Sequence, residues 1–104
     1  MKAKQSNNRS RGKNVEREIA KILRGKRVGI LGSEDISHPT FSIEVKSRKK
    51  FVANQWMQQA EKNNKDKKIP LVVVHESHKP HTKDLVILNI LDFKDLYENV
   101  KIKH

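Results

Sequence analysis

The triplet Glu44-Val45-Lys46 is where residue type and spacing point most directly to chemistry. On an extended strand, residues two apart share a face, so a carboxylate stands beside an ammonium group while Val45 points the other way. Such a pair serves metal-assisted hydrolysis: the carboxylate holds Mg²⁺ and the lysine orients, or helps deprotonate, an attacking water. The competing account is a solvated strand face carrying an ion pair. With seven glutamates and seventeen lysines in the chain, about one such triplet arises by chance, so position has to discriminate. Asp66-Lys67-Lys68 has the same spacing, but it lies in a polar run without apolar flanks and is set aside.

Two further acids have informative positions. On a helical wheel, Val15, Ile19, Ala20, Ile22 and Leu23 fill one arc, and Glu16 falls inside it while Glu18 lies at its border. A carboxylate on the packed side is costly unless something compensates it. A nearby metal would do so; a side chain that snorkels outward, or that offsets the positive end of the helix dipole, is the alternative. Asp35 follows Gly32-Ser33-Glu34 and precedes Ile36. A turn aspartate bonded to its own backbone is the ordinary reading. A hairpin through Ser37, His38 and Pro39 would instead bring Asp35 beside Glu44, so that two carboxylates and Lys46 meet at one end of a sheet with Glu16 arriving from the helix. Hard oxygen ligands of this kind select Mg²⁺, or Mn²⁺ in its place, over zinc.

The elements that must position these groups follow from the patterning. Residues 1–13 contain Lys2, Lys4, Arg9, Arg11 and Lys13 without an acid and almost without apolar residues, which predicts a flexible basic arm. Residues 14–104 are expected to form one domain. The first helix is expected over 14–23, a short strand over 27–31, and an alternating strand over 40–47 with Phe41, Ile43 and Val45 opposite Ser42, Glu44 and Lys46. Ala53, Trp56, Met57 and Ala60 have the spacing of a second amphipathic helix. Residues 71–74 are an unbroken apolar run entered through Pro70, expected as a central strand covered on both faces. Another strand is expected over 85–91, and then a short helix capped by Asp92 that buries Phe93, Leu96, Tyr97 and Val100. The expected fold class is α/β, with a mixed central sheet flanked by helices.

Three ordered segments, Gly12-x-x-x-Glu16-Arg17-Glu18-Ile19, Gly32-Ser33-x-Asp35-Ile36 and Ile43-Glu44-Val45-Lys46, resemble the archaeal Holliday-junction resolvases and the small phage-type PD-(D/E)XK endonucleases related to them. The resemblance covers the first half of the chain and, more loosely, residues 70–76. It implies a restriction-endonuclease-like fold, metal-binding or catalytic acids at Glu16, Asp35 and Glu44, and a catalytic lysine at Lys46. Glu34 stands where the family name has proline, and the link from Asp35 to Glu44 is short. The implied activity is Mg²⁺-dependent hydrolysis of DNA phosphodiesters, with a four-way junction as substrate and a twofold homodimer to make two symmetric nicks. Some relatives place a glutamine near the site at a position like that of Gln59, although a plain polar helix residue is the simpler reading. His75 and Glu76 are expected either at the rim of that site or as the emergence of a strand into solvent.

The bulk properties agree with a polyanionic partner. The formal net charge is +11, and neutralising phosphates releases condensed counterions without sequence readout. Lys2, Lys4, Arg9, Arg11, Lys13, Arg48, Lys49, Lys50, Lys62 and Lys65, with Lys67 and Lys68, are the expected phosphate contacts. No apolar run approaches the length of a spanning helix, so no membrane role is expected. The absence of cysteine and of a signal-peptide-like stretch points to a reducing, cytoplasmic setting. His75, His78 and His81 recur every three residues, but Pro80 and the change from strand to loop argue against one ligand face, and a structural zinc is not expected. The rival readings are a nuclease of other specificity, such as a nicking, flap or fork cutter, and a non-catalytic basic nucleic-acid-binding module. With one tyrosine, one tryptophan and three phenylalanines, the latter has few residues for base stacking.

Overall fold

The computed structural model describes the backbone of residues 2–30 and 34–103 and the side chains of residues 12–30 and 34–100. They fall into two compact units, residues 1–49 and 50–104. The architecture is mixed α/β, with three helices and small antiparallel sheets.

In the first unit, helix α1 spans Lys2–Leu23. It therefore includes residues 2–13, expected as a flexible arm, in its backbone. Extending a helix adds a hydrogen bond for each residue fixed, whereas starting one is costly, so the amphipathic turns after Asn14 carry the polar turns before them. The side chains of Lys2, Lys4, Arg9 and Arg11 lie outside the described residues. The helix ends in a Schellman arrangement: Arg24 adopts φ 60°, its N–H donates to Lys21 O, and Gly25 N–H donates to Ala20 O. Gly25 is required by close approach, because a Cβ there would lie 2.6 Å from Ile36 Cγ2 and 2.7 Å from Ser37 O.

Three two-residue strands follow: β1 (Lys26–Arg27), β2 (Ile36–Ser37) and β3 (Ser42–Ile43). They form an antiparallel sheet in the order β1-β2-β3, with Arg27 opposite Ile36 and Ile36 opposite Ile43. The hairpin expected between Asp35 and the Glu44 strand is thus present, its turn held by His38 Nδ1, which accepts from Thr40 N and Phe41 N. Ile36, at the centre of the sheet, is fully buried, and Ala20 of α1 is also in the core. The ladder of β3 stops at Ile43, shorter than the strand expected over 40–47. Its alternation continues nonetheless: Phe41, Ile43 and Val45 are half-buried while Ser42, Glu44 and Lys46 are exposed.

In the second unit, α2 (Ala53–Lys62) buries Ala53 and Met57 and lies against β4 (Val72–Val74). Strand β4 pairs antiparallel with β5 (Leu85–Ile87), Val74 opposite Leu85. The apolar run at 71–74 is therefore one strand of a two-stranded sheet, and Val73 is exposed, not covered on both faces as expected. Continuous apolar character does not report coverage when the pairing partner is a local hairpin strand. Helix α3 (Ile90–Lys103) starts before Asp92; Asn89 O accepts from Phe93 N, and Asp92 lies in the first turn, where its charge favours the helix dipole. Instead of one mixed central sheet, the described residues form two antiparallel sheets, one in each unit. Among the described residues no helix is long and apolar enough to cross a membrane.

Candidate functional site

Asp35 is the best-anchored of the expected site residues. Its backbone O accepts from Val28 N at 3.0 Å and its N–H donates to Ile43 O at 2.9 Å, which ties it between β1 and β3. Its Oδ2 accepts from the backbone N–H of Val45 at 2.7 Å. Where the β3 ladder ends, the Asp35 side chain takes over as acceptor for the strand. The bond crosses the hairpin, unlike that of an ordinary turn aspartate. It sets the Asp35 carboxylate against the residue flanked by Glu44 and Lys46, whose side chains share the opposite, exposed face from Val45.

Glu44 and Lys46 form an ion pair, Lys46 Nζ to Glu44 Oε2 at 3.5 Å, with side chains 59% and 70% exposed. Such a pair contributes little to stability, so neither residue is fixed by the needs of the fold. Both are open to solvent and to a ligand. Glu34 Oε1 accepts from the Ser42 hydroxyl at 3.2 Å, so the residue before Asp35 braces the same hairpin.

Glu16 is half-buried on α1, with its side chain 21% exposed against 69% for Glu18, as the wheel predicts. Its compensation comes from Arg27 of β1, whose Nε donates to Glu16 Oε1 at 3.1 Å. The expectation that Glu16 converges with Asp35 and Glu44 is not met at ligand distance. Among the described residues, the group of three potential ligands that lie together is His75, His81 and Asp84, which contains none of the three acids. The Glu16–Arg27 pair links positions eleven apart across the helix exit, and helical periodicity carries no signal for it.

The expected phosphate contacts are exposed wherever their side chains are described: Lys13 on α1, Arg48 and Lys49 at the end of the first unit, Lys50 at the start of the second, and Lys62 and Lys65 at and after the end of α2. Lys67 and Lys68 belong to the same polar loop, in which Asn64 Oδ1 accepts from Lys68 N. Gln59 is exposed on α2. Glu76 pairs with Lys79 at 2.6 Å and His75 with Asp84 at 2.7 Å, so both are engaged within their own loop.

That loop holds the cluster that sequence reading missed. The register Val74 to Leu85 puts His75 across from Asp84, and a 3-10 turn at His81–Lys83 returns His81 to the same carboxylate at 3.0 Å. Residues 71–74 and 85–87 paired as a hairpin would have revealed Asp84; the three-residue recurrence of histidines did not, since His78 is not part of the cluster. Neither a scan of protein-family models nor searches of curated proteins and solved structures give a match to this chain.

Proposed function

We propose that the chain is a Mg²⁺-dependent endodeoxyribonuclease with a restriction-endonuclease-like, PD-(D/E)XK core, acting on branched DNA as a Holliday-junction resolvase and homodimer. The observation that carries this reading is the 2.7 Å bond from Val45 N–H to Asp35 Oδ2, which joins one candidate ligand to the strand bearing Glu44 and Lys46. Asp35 and Glu44 offer the hard oxygen donors that Mg²⁺ takes, and Mn²⁺ can substitute. Asp35 keeps its second carboxylate oxygen for the metal. Glu16, paired with Arg27, would join the set only by giving up that partner. When bound, the ion supplies charge stabilisation at the phosphate and lowers the pKa of a water. Lys46, beside Glu44 on the open face, would orient the attacking water in line with the phosphodiester. The exposed lysines and arginines grip the flanking phosphates, and the net charge of +11 favours that contact at long range.

A second reading, a non-catalytic basic nucleic-acid-binding module, is favoured by one observation: Glu16 and Glu44 both have cationic partners, Arg27 and Lys46. One assay decides between them. Purified protein is incubated with end-labelled four-way junction, fork, flap, linear duplex and single strand, each with Mg²⁺ and with chelator. Chelator-sensitive cutting that is fastest on the junction supports the resolvase. Faster cutting of a fork, flap or duplex keeps the nuclease and changes its substrate, and binding without cutting of any substrate selects the binding module.

A further inference from the structure

The geometry points to a separate metal site of the zinc type, formed by His75, His81 and Asp84 at the loop end of the β4–β5 hairpin. None of these residues belongs to the proposed nuclease site, and the inference does not rest on that reading.

One ligand atom from each of the three residues lies within 4.8 Å of the other two. His75 Nδ1 is 2.7 Å from Asp84 Oδ1 and His81 Nδ1 is 3.0 Å from Asp84 Oδ2. The two rings stack with centroids 4.2 Å apart and planes 27° from parallel. A carboxylate only accepts, so each of these bonds requires a proton on Nδ1. A divalent cation seated between the rings and the carboxylate takes the place of those two protons. The rings then carry their protons on Nε2, and the carboxylate offsets one of the ion's two charges. Two imidazoles and one carboxylate are the ligand set of a three-coordinate protein site that leaves a fourth position for water. Nitrogen donors favour zinc, cobalt or nickel and disfavour Mg²⁺, so the site is chemically distinct from a cluster of acids.

Hydrogen bonding alone accounts for this arrangement incompletely. His81 is 82% exposed, where water competes for its bond and leaves little net stabilisation. Yet the backbone between the two histidines is shaped to return His81 to Asp84. His78 is in the left-handed region at φ 70°, Lys79 N–H donates to Glu76 O, Lys83 N–H to Pro80 O, and Asp84 N–H to His81 O. Of the two lysines in this connection, Lys79 is paired with Glu76 and Lys83 ends the 3-10 turn, while the Asp84 carboxylate faces the imidazoles. A bound ion would close the connection between β4 and β5 and stabilise the folded chain by mass action.

The test titrates chelator-stripped, full-length protein with Zn²⁺ by calorimetry, with and without millimolar Mg²⁺, and follows the histidine ring nitrogens by ¹⁵N NMR. The expected result is Zn²⁺ binding that Mg²⁺ does not displace, with shifts at the ring nitrogens of His75 and His81 and a higher thermal midpoint in Zn²⁺. His81→Ala, which removes an exposed side chain, should weaken that binding at least about tenfold and abolish the rise in midpoint; Asp84→Asn should do the same, and His78→Ala should change neither. Absence of Zn²⁺ binding in the wild type, or equal affinity in His81→Ala, overturns the site. A His78→Ala variant as impaired as His81→Ala overturns this ligand set.

Discussion

Asp35 and Val45 are joined across the β2–β3 hairpin by the 2.7 Å bond from Val45 N–H to Asp35 Oδ2. The same carboxylate is therefore a structural acceptor and, in the proposed nuclease, a metal ligand. These roles need different properties of the group: the first needs an oxygen lone pair, the second a negative charge.

Asparagine and alanine at position 35 separate them. Asp35→Asn keeps an amide oxygen that can accept from Val45, whereas Asp35→Ala leaves a half-buried N–H without its partner. Alanine should cost about 1–3 kcal/mol of stability in denaturant unfolding, and asparagine clearly less. Mg²⁺-dependent cleavage should be lost in both. Wild-type cleavage by Asp35→Asn would reduce Asp35 to a brace for the strand.

Glu44 and Lys46 should behave in the opposite way. Their ion pair is exposed on both sides, so Glu44→Ala and Lys46→Ala should each shift unfolding free energy by less than about 1 kcal/mol. Both should abolish DNA cleavage while DNA affinity stays nearly unchanged, because other basic residues supply the phosphate contacts. Filter-binding and cleavage rates measured on the same preparations check this; wild-type rates in either variant would remove the proposed site.

Residues 1–11 contribute four positive charges, Lys2, Lys4, Arg9 and Arg11. Deleting them should weaken DNA binding and flatten its dependence on salt, by roughly 0.9 in the logarithmic slope for each phosphate that is no longer neutralised, while the cleavage rate at saturating protein persists. An unchanged slope would mean that this part of α1 does not touch the phosphate backbone.

The hairpin was legible in the sequence because two local signals agree: the strict alternation of Phe41 to Lys46 and a connection too short for anything but an antiparallel return. The burial of Glu16 was legible for a similar reason, since helical periodicity fixes faces. Its partner was not, because the Arg27 guanidinium reaches Glu16 across a helix stop and a strand start, and that geometry depends on the Arg24–Gly25 turn. The extent of α1 was missed because composition describes what a segment can bury and says nothing of a helix propagating into it. Asp84 was missed because its relation to His75 exists only through the β4–β5 register.

The Glu16–Arg27 pair makes the last prediction and changes its sign from what the helical wheel alone would give. A half-buried acid without a partner should gain stability on conversion to glutamine. Glu16 has a partner, with side-chain exposures of 21% and 26% for Glu16 and Arg27, and breaking a charge-assisted bond of this kind leaves a partly desolvated guanidinium behind. Glu16→Gln should therefore lower stability by about 1–2 kcal/mol, and Glu18→Gln, whose Lys21 partner is 3.6 Å away on the solvent side, should be nearly silent. Activity then separates pairing from ligation. If Glu16 serves only Arg27, then Glu16→Gln, Arg27→Gln and the double variant should lose stability to similar extents, and cleavage should follow stability in all three. If Glu16 exchanges Arg27 for Mg²⁺, then Glu16→Gln and the double variant should lose cleavage by orders of magnitude, whereas Arg27→Gln keeps it at temperatures where it is folded. The second pattern is expected from the proposed nuclease; the first would shrink its active site to Asp35, Glu44 and Lys46.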